Sequence, residues 1–350
     1  MSDSDSVLYD CCRAIVRMVK AEKLQAGDKL PSQETLRLKT KFSNNSISPA
    51  MEVLSQAGYL KRQRRSGTVL IDPTALPTGL WRIAFTIGQR DNHPGNIIYS
   101  IMHRIVYETL LNKNCVMKPY SLDTLTENAD GHQLSEFGNL SHDLNTHKID
   151  GVLTLSHFND KSLKKISESC SLLELTKASK YGIGISLDAE DLIFKATTLL
   201  KEKGCDQPTL VISQWLHNKN PEVVETFKAN CNTLKQKAHV FCYDGHDYAN
   251  QSDRLMNQLK NSSLKEANSL IVMNDMLALE VCASLLKNKI PMPVVIQGNK
   301  EIPLSYAVPS TILEYDMENV INSSIDLLLN SIQESQPLKE NIFIKAQKKA

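Results

Sequence analysis

The sequence predicts two domains of different class: a small α+β domain at the N-terminus and a larger α/β domain built on parallel sheets. Helical patterns and a basic hairpin pattern occupy residues 1–72, and a stretch with two prolines and one glycine follows at 73–80. From residue 81 to residue 350, short apolar runs alternate with longer helical patterns. A chain of 350 residues is also longer than a single core usually accommodates.

Three helices are predicted in the first domain. Apolar residues at helical spacing from Val7 to Val19 predict the first helix. Ser32 is the expected N-cap of a second helix that runs to about Lys41. Ser43 is the next candidate N-cap, and the third helix is expected to end near Gly58.

A basic hairpin is predicted after the third helix, with strands at 59–63 and 68–72 joined by the turn at 64–67. Residues 1–72 carry 12 Lys+Arg against 8 Asp+Glu, a net charge of +4. The remaining residues carry 28 against 31, a net charge of −3. The positive first domain indicates a polyanionic partner on that side of the chain.

Two helices joined by a short turn allow the second helix to enter the major groove of DNA, while the hairpin reaches phosphates or the minor groove. The alternative is a purely structural three-helix module whose basic turn is solvated. The residues that distinguish the two are Leu30-Pro31-Ser32, Leu36, Ser43, Ile47, Ala50, Leu54, Gly58 and Gly67-Thr68.

This ungapped pattern of about 40 residues resembles the winged helix-turn-helix domain of the gluconate-repressor (GntR) family of bacterial transcription factors. The resemblance implies that the helix over 43–57 is the recognition helix and that 59–71 form the wing. The candidate DNA-binding residues are Ser32, Ser43, Asn44, Asn45, Ser46, Ser48, Lys61, Arg62, Arg64, Arg65 and Gly67.

The chain departs from that family at four positions. The family commonly places arginines where this chain has Glu34, Asn44 and Ser48. Asn44 can still make a bidentate contact to adenine and Ser48 can bond to phosphate, whereas Glu34 would repel a phosphate that it faced. Pro49 removes an N–H inside the expected recognition helix, so that helix either starts late, with Ser48 as its cap, or kinks.

The second domain, residues 81–350, follows the linker at 73–80. Apolar runs predict strands at 82–87, 115–120, 150–155, 209–212, 240–243, 269–272 and 294–296. Helical patterns lie at 96–111, 192–203, 221–231 and 276–287. The alternation predicts parallel sheets with right-handed crossovers.

Two segments, 148–153 and 269–279, resemble the effector domain of the lactose-repressor (LacI) family, which has a periplasmic-binding-protein-like (type I) fold. The resemblance implies two lobes around a small-molecule cleft, with chain crossings near Asp188, Leu313 and Pro337. Asp275 is the expected N-cap of the helix after the 269–272 strand. Asn274 should then lie at the carboxyl end of that strand, where open parallel sheets bind ligands.

Seven residues are candidates for effector binding. They are Arg90, His93, Trp215, Asn274, Asp275, Asn299 and Lys300. Arg90 and His93 face the cleft or belong to a polar loop, and Trp215 either stacks on a sugar ring or packs between the lobes. Lys300 either favours an acidic ligand or is a surface lysine. The arginine and aspartate that the family usually supplies for sugar hydroxyls are both missing.

The combination of this head with this effector domain resembles the arabinose repressors of Gram-positive bacteria. The resemblance implies a repressor: a homodimer on a palindromic double-stranded DNA operator, with an affinity tuned by a small-molecule effector such as a sugar. The four departures in the head suggest an alternative, a small-molecule sensor whose DNA-binding head is degenerate.

Several function classes lack support in the sequence. There is no nucleophile elbow, phosphate loop or zinc-binding helix, and the eight cysteines form no Cys-x-x-Cys pair, so we expect no enzyme activity, metal or cofactor. The acidic start lacks a signal core, and no apolar run reaches the ~18 residues that span a bilayer. A cytoplasmic protein without membrane contact is expected.

Overall fold

A computed structural model describes residues 3–63, 67–87, 96–122, 131–175, 177–245, 247–261, 264–334 and 338–349, with side chains from residue 7 onward except at 96–99 and 219. The N-terminal region, here called the head, comprises α1 (Asp3–Ala21), α2 (Gln33–Thr40), α3 (Asn44–Gln56), β1 (Leu60–Gln63) and β2 (Gly67–Leu70). Strands β1 and β2 pair antiparallel.

The head has its own apolar core. Ile15 of α1, Leu36 of α2, Ile47 and Leu54 of α3 and Leu70 of β2 are all fully buried. Each helix contributes one apolar stripe to this core, which is why the short helices are stable together although none would be in isolation. The predicted winged helix-turn-helix fold is confirmed.

The rest of the chain, here called the body, alternates strands and helices. In chain order its elements are β3 (Trp81–Ile87), α4 (Asn96–Asn112), β4 (Cys115–Ser121), α5 (Leu140–Asn145), β5 (Gly151–Thr154), α6 (Asp160–Ser169), β6 (Ser171–Leu175), β7 (Ile183–Leu187), α7 (Ala189–Glu202), β8 (Pro208–Ser213), α8 (Gln214–Lys219), α9 (Glu222–Thr233), β9 (His239–Tyr243), α10 (Tyr248–Asn261), β10 (Ser269–Val272), α11 (Asp275–Lys287), β11 (Val294–Asn299), β12 (Ser310–Tyr315), α12 (Met317–Glu334), β13 (Glu340–Ile344) and β14 (Gln347–Lys348).

Two six-stranded sheets organise the body. The first has the strand order β13-β7-β6-β5-β3-β4, and the second has the order β14-β12-β11-β10-β8-β9. The central pairs of both sheets are parallel, as in β3 with β5 and β10 with β11. The predicted α/β class with parallel sheets is confirmed.

The described residues form two compact units. The first unit takes in residues from 1–89, 103–185 and 321–342, and therefore contains the head and most of the first sheet. The second unit takes in residues from 90–102, 186–320 and 343–350. The boundary at 185–186 agrees with the crossing expected near Asp188, but the crossing expected near Leu313 is misplaced. Pro337, near which the third crossing was expected, lies outside the described residues. Leu313 is buried inside β12, so the chain completes that strand and enters α12 before it leaves the second unit at 320–321.

Candidate DNA-binding interface and effector site

Helix α2 begins as predicted at Ser32, whose Oγ accepts a hydrogen bond from the Thr35 N–H at 3.2 Å. Glu34, in the first turn, lies beside Arg37. The Nη2 of Arg37 is 2.6 Å from Glu34 Oε1 and its Nε is 3.1 Å from both carboxylate oxygens. This hydrogen bonding lowers the pKa of Glu34, although both side chains are exposed. The carboxylate is therefore balanced by a cation one helical turn away.

Helix α3 starts at Asn44, with Ser43 in the N-cap position, and continues through Pro49 to Gln56. Of the two alternatives raised by Pro49, the late start with Ser48 as cap is wrong. The buried stripe of Ile47, Ala50, Met51 and Leu54 holds the first turn against the head core, and Pro49 lies on the exposed side. Its missing N–H leaves only the Asn45 carbonyl without its usual helical partner.

The N-terminal end of α3 presents polar side chains to solvent. Asn44 and Asn45 are exposed, whereas Ser46 is half-buried and its Oγ lies 3.2 Å from Ser43 Oγ. Ser43 makes no side-chain cap, so the first N–H groups of α3 are not capped by that side chain. The positive dipole end of a helix N-terminus suits a phosphate oxygen.

Two cations that sequence reasoning missed lie beside this helix end. A shallow surface recess is lined by Arg37, Leu38, Lys41, Phe42, Ser43 and Asn44. Lys41 ends α2 in the left-handed conformation, with φ of 62°, and the sharp turn brings its backbone next to the start of α3. The spacing of Glu34 and Arg37 was the available signal, because residues three apart in a helix are neighbours.

Arg62 of β1 contacts two residues of α3. Its Nη2 is 3.4 Å from Ser48 Oγ, and its Nη1 is 3.6 Å from Glu52 Oε2. Ser48 is half-buried by this arrangement, while Lys61 is exposed on β1. Gly67 opens β2 with φ of +93°, a conformation that favours glycine. The predicted wing residues Arg64 and Arg65 lie outside the described residues.

The effector candidates of the second unit gather at one edge of its sheet. Strands β8, β10 and β11 are neighbours and parallel. Trp215 lies in α8 directly after β8, Asn274 follows β10, and Asn299 is the last residue of β11. The carboxyl edge of parallel strands is the usual place for a ligand in an open α/β sheet.

Asn274, and not Asp275, is the N-cap of α11, so that prediction was wrong. Asn274 Oδ1 accepts from the Leu277 N–H at 2.8 Å. Asp275 is instead the first helical residue, and its Oδ2 accepts from Asn299 Nδ2 at 2.9 Å. Burial raises the pKa of Asp275, and the Asn299 hydrogen bond opposes that rise. The result is a buried carboxylate at the edge of the sheet, hydrogen-bonded by the Asn299 amide and by backbone N–H groups of Asp275 and Met276.

Tyrosines next to this carboxylate were also missed. Asn274 Nδ2 donates to Tyr248 Oη at 3.4 Å, and the rings of Tyr243 and Tyr248 meet edge to face at 6.3 Å. The rule that ligands bind at the carboxyl ends of parallel strands, which identified Asn274, also applies to both tyrosines. Tyr243 is the last residue of β9, and Tyr248 is the first residue of the next helix. Burial raises the pKa of both phenols.

The remaining candidates differ in their surroundings. Trp215 is 64% exposed. Lys300 is exposed and its Nζ lies 2.5 Å from Asp316 Oδ2, so its charge is already balanced. Arg90 and His93 lie outside the described residues. Across the described ranges, no three or more His, Cys, Asp or Glu side chains come together as metal ligands, and no helix there has the length and apolarity to cross a membrane.

Residues 12–70 match the family of bacterial regulatory proteins called gntR. Comparison with curated proteins gives no match. Among solved structures, the chain is similar to a LacI family transcription regulator from Clostridium acetobutylicum, with 19% identity, a TM-score of 0.57, and coverage of 77% of this chain and 99% of that one.

Two further structures show the same fold. A dimeric Lac repressor is 15% identical, with a TM-score of 0.59 and coverage of 77% of this chain and 97% of that one. A LacI family regulator from Enterococcus faecium with bound ribose is also 15% identical, with a TM-score of 0.57 and coverage of 77% and 97%. Residues 12–70 are thus a DNA-binding domain of the gntR family of bacterial regulatory proteins, and the body has the fold of LacI-family transcription regulators.

Proposed function

We propose that this protein is a dimeric transcription regulator, most simply a repressor, that binds a palindromic operator and responds to a small polyhydroxylated metabolite. The observation that carries this proposal is the exposed N-terminal end of α3, with Asn44 and Asn45 on the surface and Arg37 and Lys41 beside it. An uncapped helix end flanked by cations attracts a duplex, and asparagine amides discriminate its bases.

Base recognition is assigned to Asn44 and Asn45, and backbone contacts to the residues around them. Arg37, Lys41 and Lys61 supply charge for phosphates, a term that falls as salt rises. We also assign to this surface the other residues expected from the sequence: Ser32, Ser43, Ser46, Ser48 and Gly67, with Arg62, Arg64 and Arg65.

The effector is assigned to the carboxyl edge of the second sheet. Asp275 is a carboxylate that only accepts hydrogen bonds when ionised, Asn274 and Tyr248 add neutral polar groups, and Trp215 adds an exposed aromatic face. Ligand hydroxyls satisfy such groups, whereas an anionic ligand would meet the Asp275 charge, and Lys300 is already paired with Asp316. This favours a sugar over an organic acid, and the bound ribose of the Enterococcus faecium structure is of that class.

A palindromic operator needs two readers, and the dimeric Lac repressor has the same body fold, which together support a homodimer. Because bacterial DNA lies in the cytoplasm, we propose that the protein acts there.

Selection of duplexes from a random library at physiological salt tests the proposal directly. We expect enrichment of an inverted repeat, and a sugar screen by thermal shift should then find a ligand that raises the melting temperature and alters operator affinity. If no palindrome is enriched, the proposal that this protein is a transcription regulator is refuted. If sugars nevertheless stabilised the protein, the alternative of a sensor with a degenerate head, motivated by Pro49 and the lost arginines, would be correct.

A further inference from the structure

The head and the first sheet meet through a group of charges, here called the seam cluster: Asp10, Arg13 and Arg17 of α1, with Arg82 and Asp150 of the body. The side chains of Arg13 and Asp150 are only 3% and 6% exposed. Arg13 lies 137 residues from Asp150 in the sequence, so this contact is entirely tertiary.

Asp150 is the centre of the seam cluster. Its Oδ1 is 3.3 Å from Arg13 Nε and 3.7 Å from Arg17 Nη2. Its Oδ2 accepts from the Arg82 backbone N–H at 2.9 Å and from Arg82 Nε at 3.2 Å. The carboxylate therefore joins a head helix to strand β3 at the point where β5 begins.

Three further contacts cross the seam. Arg13 Nη1 donates to the Leu80 carbonyl at 2.6 Å, and the Arg17 guanidinium stacks over the Trp81 ring at 5.4 Å. Tyr9 Oη donates to the Thr78 carbonyl at 3.3 Å. Removing one partner of a buried charge pair costs more than removing one partner of an exposed pair, because it leaves the other charge buried and uncompensated.

The linker is itself anchored to the body. The Gly79 N–H donates to the Asn114 carbonyl at 2.7 Å, and Thr78 Oγ1 donates to Asn114 Oδ1 at 3.3 Å. Alongside the seam cluster, a cleft of about 450 Å³ separates α1 from residues 167–171, so apolar packing does not fill this part of the seam. The polar contacts are therefore what holds the head in one orientation there.

We propose that Arg13 and Arg17 are positioning residues for operator binding. They fix the head on the first sheet, so that the body of the dimer, and not the length of residues 73–80, sets the spacing of the two operator half-sites. This inference rests on the proposed function, and it goes beyond it by assigning the geometric specificity of the operator to residues that touch no DNA.

The first test measures affinity for duplexes whose two half-sites are moved apart in single base-pair steps across about one helical turn, ~10 bp. The full-length protein should prefer one spacing sharply, and a Gly-Gly-Ser insertion between Ala75 and Leu76 should leave that preference unchanged. In Arg13→Met/Arg17→Ala the preference should flatten, while affinity for a single half-site stays within twofold of wild type. Arg254→Ala is the matched control, since the Arg254 guanidinium lies 5.9 Å from the centroid of the Phe241 ring, within the second unit.

The second test is independent of DNA. Trp81 and Trp215 are the only two tryptophans, so Trp215→Phe leaves buried Trp81 as the sole emitter. Acrylamide quenching of Trp81 should rise at least twofold when Arg17→Ala is added, and should not change with Arg254→Ala. If Arg13→Met fails to fold, Arg17→Ala alone, at a partly exposed position, serves in both tests and should broaden the spacing preference partially.

The outcomes separate the two proposals. If the wild-type protein binds no palindrome, the proposed function as a transcription regulator is wrong. A wild-type protein that binds one, but whose spacing preference survives loss of the seam arginines or broadens on linker insertion alone, overturns the positioning role. Unchanged quenching of Trp81 in Arg17→Ala also overturns it.

Discussion

Arg37 Nη2 lies 2.6 Å from Glu34 Oε1, so the acid that replaces a family arginine on α2 is paired with a cation one turn later. The pair is exposed and therefore weak, and both partners remain available to a duplex. Arg37 lines the recess at the start of α3, which places positive charge beside the N-terminal end of that helix.

Replacement of Arg37 by alanine should remove one phosphate contact. The slope of log affinity against log salt concentration should decrease in magnitude by about one, and base preference should not change. Glu34→Gln should act in the opposite direction and tighten binding, because it removes a negative charge and frees the guanidinium. Lys39→Ala is the control, because the Lys39 ammonium pairs with Glu22. An equal decrease of the salt slope in this variant would argue against a specific role for Arg37.

Asn44→Ala should relax sequence preference at one base position of each half-site. The lost bidentate amide contact corresponds to about 1–3 kcal/mol of discrimination. Gln56→Ala removes an exposed amide at the other end of the same helix and should change nothing. Binding to a panel of single-base operator variants measures both, and uniform weakening across the panel would assign Asn44 to the backbone instead.

Pro49→Ala should stabilise the head. The substitution restores the N–H that bonds to the Asn45 carbonyl and removes a helix-interior proline, so the free energy of unfolding should rise by about 1–3 kcal/mol. Urea denaturation followed by far-UV circular dichroism measures the change. A loss of stability would mean that the recognition helix depends on the proline geometry.

Asp275 predicts a pH dependence of both stability and effector binding. Its pKa is raised in the folded protein by burial, so the folded state holds the proton more tightly than the unfolded state. A destabilising contribution therefore develops as pH rises from the ordinary aspartate value through the raised pKa, and it persists above that pKa. Asp275→Asn should be more stable than wild type at neutral pH, and the difference should shrink in acid.

The same carboxylate should control the ligand. In the wild type, sugar affinity should fall as pH drops through the raised pKa, because the protonated carboxyl accepts fewer hydroxyl hydrogen bonds. Asp275→Asn should bind sugar at least tenfold more weakly at neutral pH and show no such pH profile, a loss of about 1.4 kcal/mol. Calorimetric titrations across pH would contradict the assignment if both proteins gave parallel curves.

The dimer should form through an exposed apolar surface of the first unit. Tyr107 and Leu111 lie one turn apart on α4, and Val116 lies on the edge strand β4; all three are exposed. Leu111→Glu should yield monomers in light scattering and weaken binding to the palindrome more than to a half-site. Phe194→Glu, at an exposed phenylalanine of the second unit, should remain dimeric.

Local patterns predicted most of the architecture. Each strand expected from an apolar run is present, and Ser32 caps α2 as the Pro-Ser pair indicated. Strands β6, β7, β12, β13 and β14 were missed, since they are short or mix apolar residues with polar residues or Gly. The cap of α11 was misassigned because Asn and Asp both cap well, and the choice depends on Asn299, which lies 24 residues away from Asp275.

Contacts between distant residues could not be predicted from the sequence. Arg62 looked like a free wing cation, but it lies beside Ser48 and Glu52 on another element. The apolar pattern from Val7 to Val19 gives no sign of the contacts of Arg13, yet this residue is among the most deeply buried charges of the described residues. It pairs with Asp150 and donates to the Leu80 carbonyl. Neither partner is near in sequence, so no periodicity signals the pair.

The left-handed backbone of Lys41 carries a cost that a glycine there would avoid, about 1 kcal/mol. Lys41→Gly should consequently raise the melting temperature and lower the affinity for the operator. The turn between α2 and α3 thus lowers the stability of the head but supports DNA affinity. A substitution that stabilises this turn should therefore weaken operator binding.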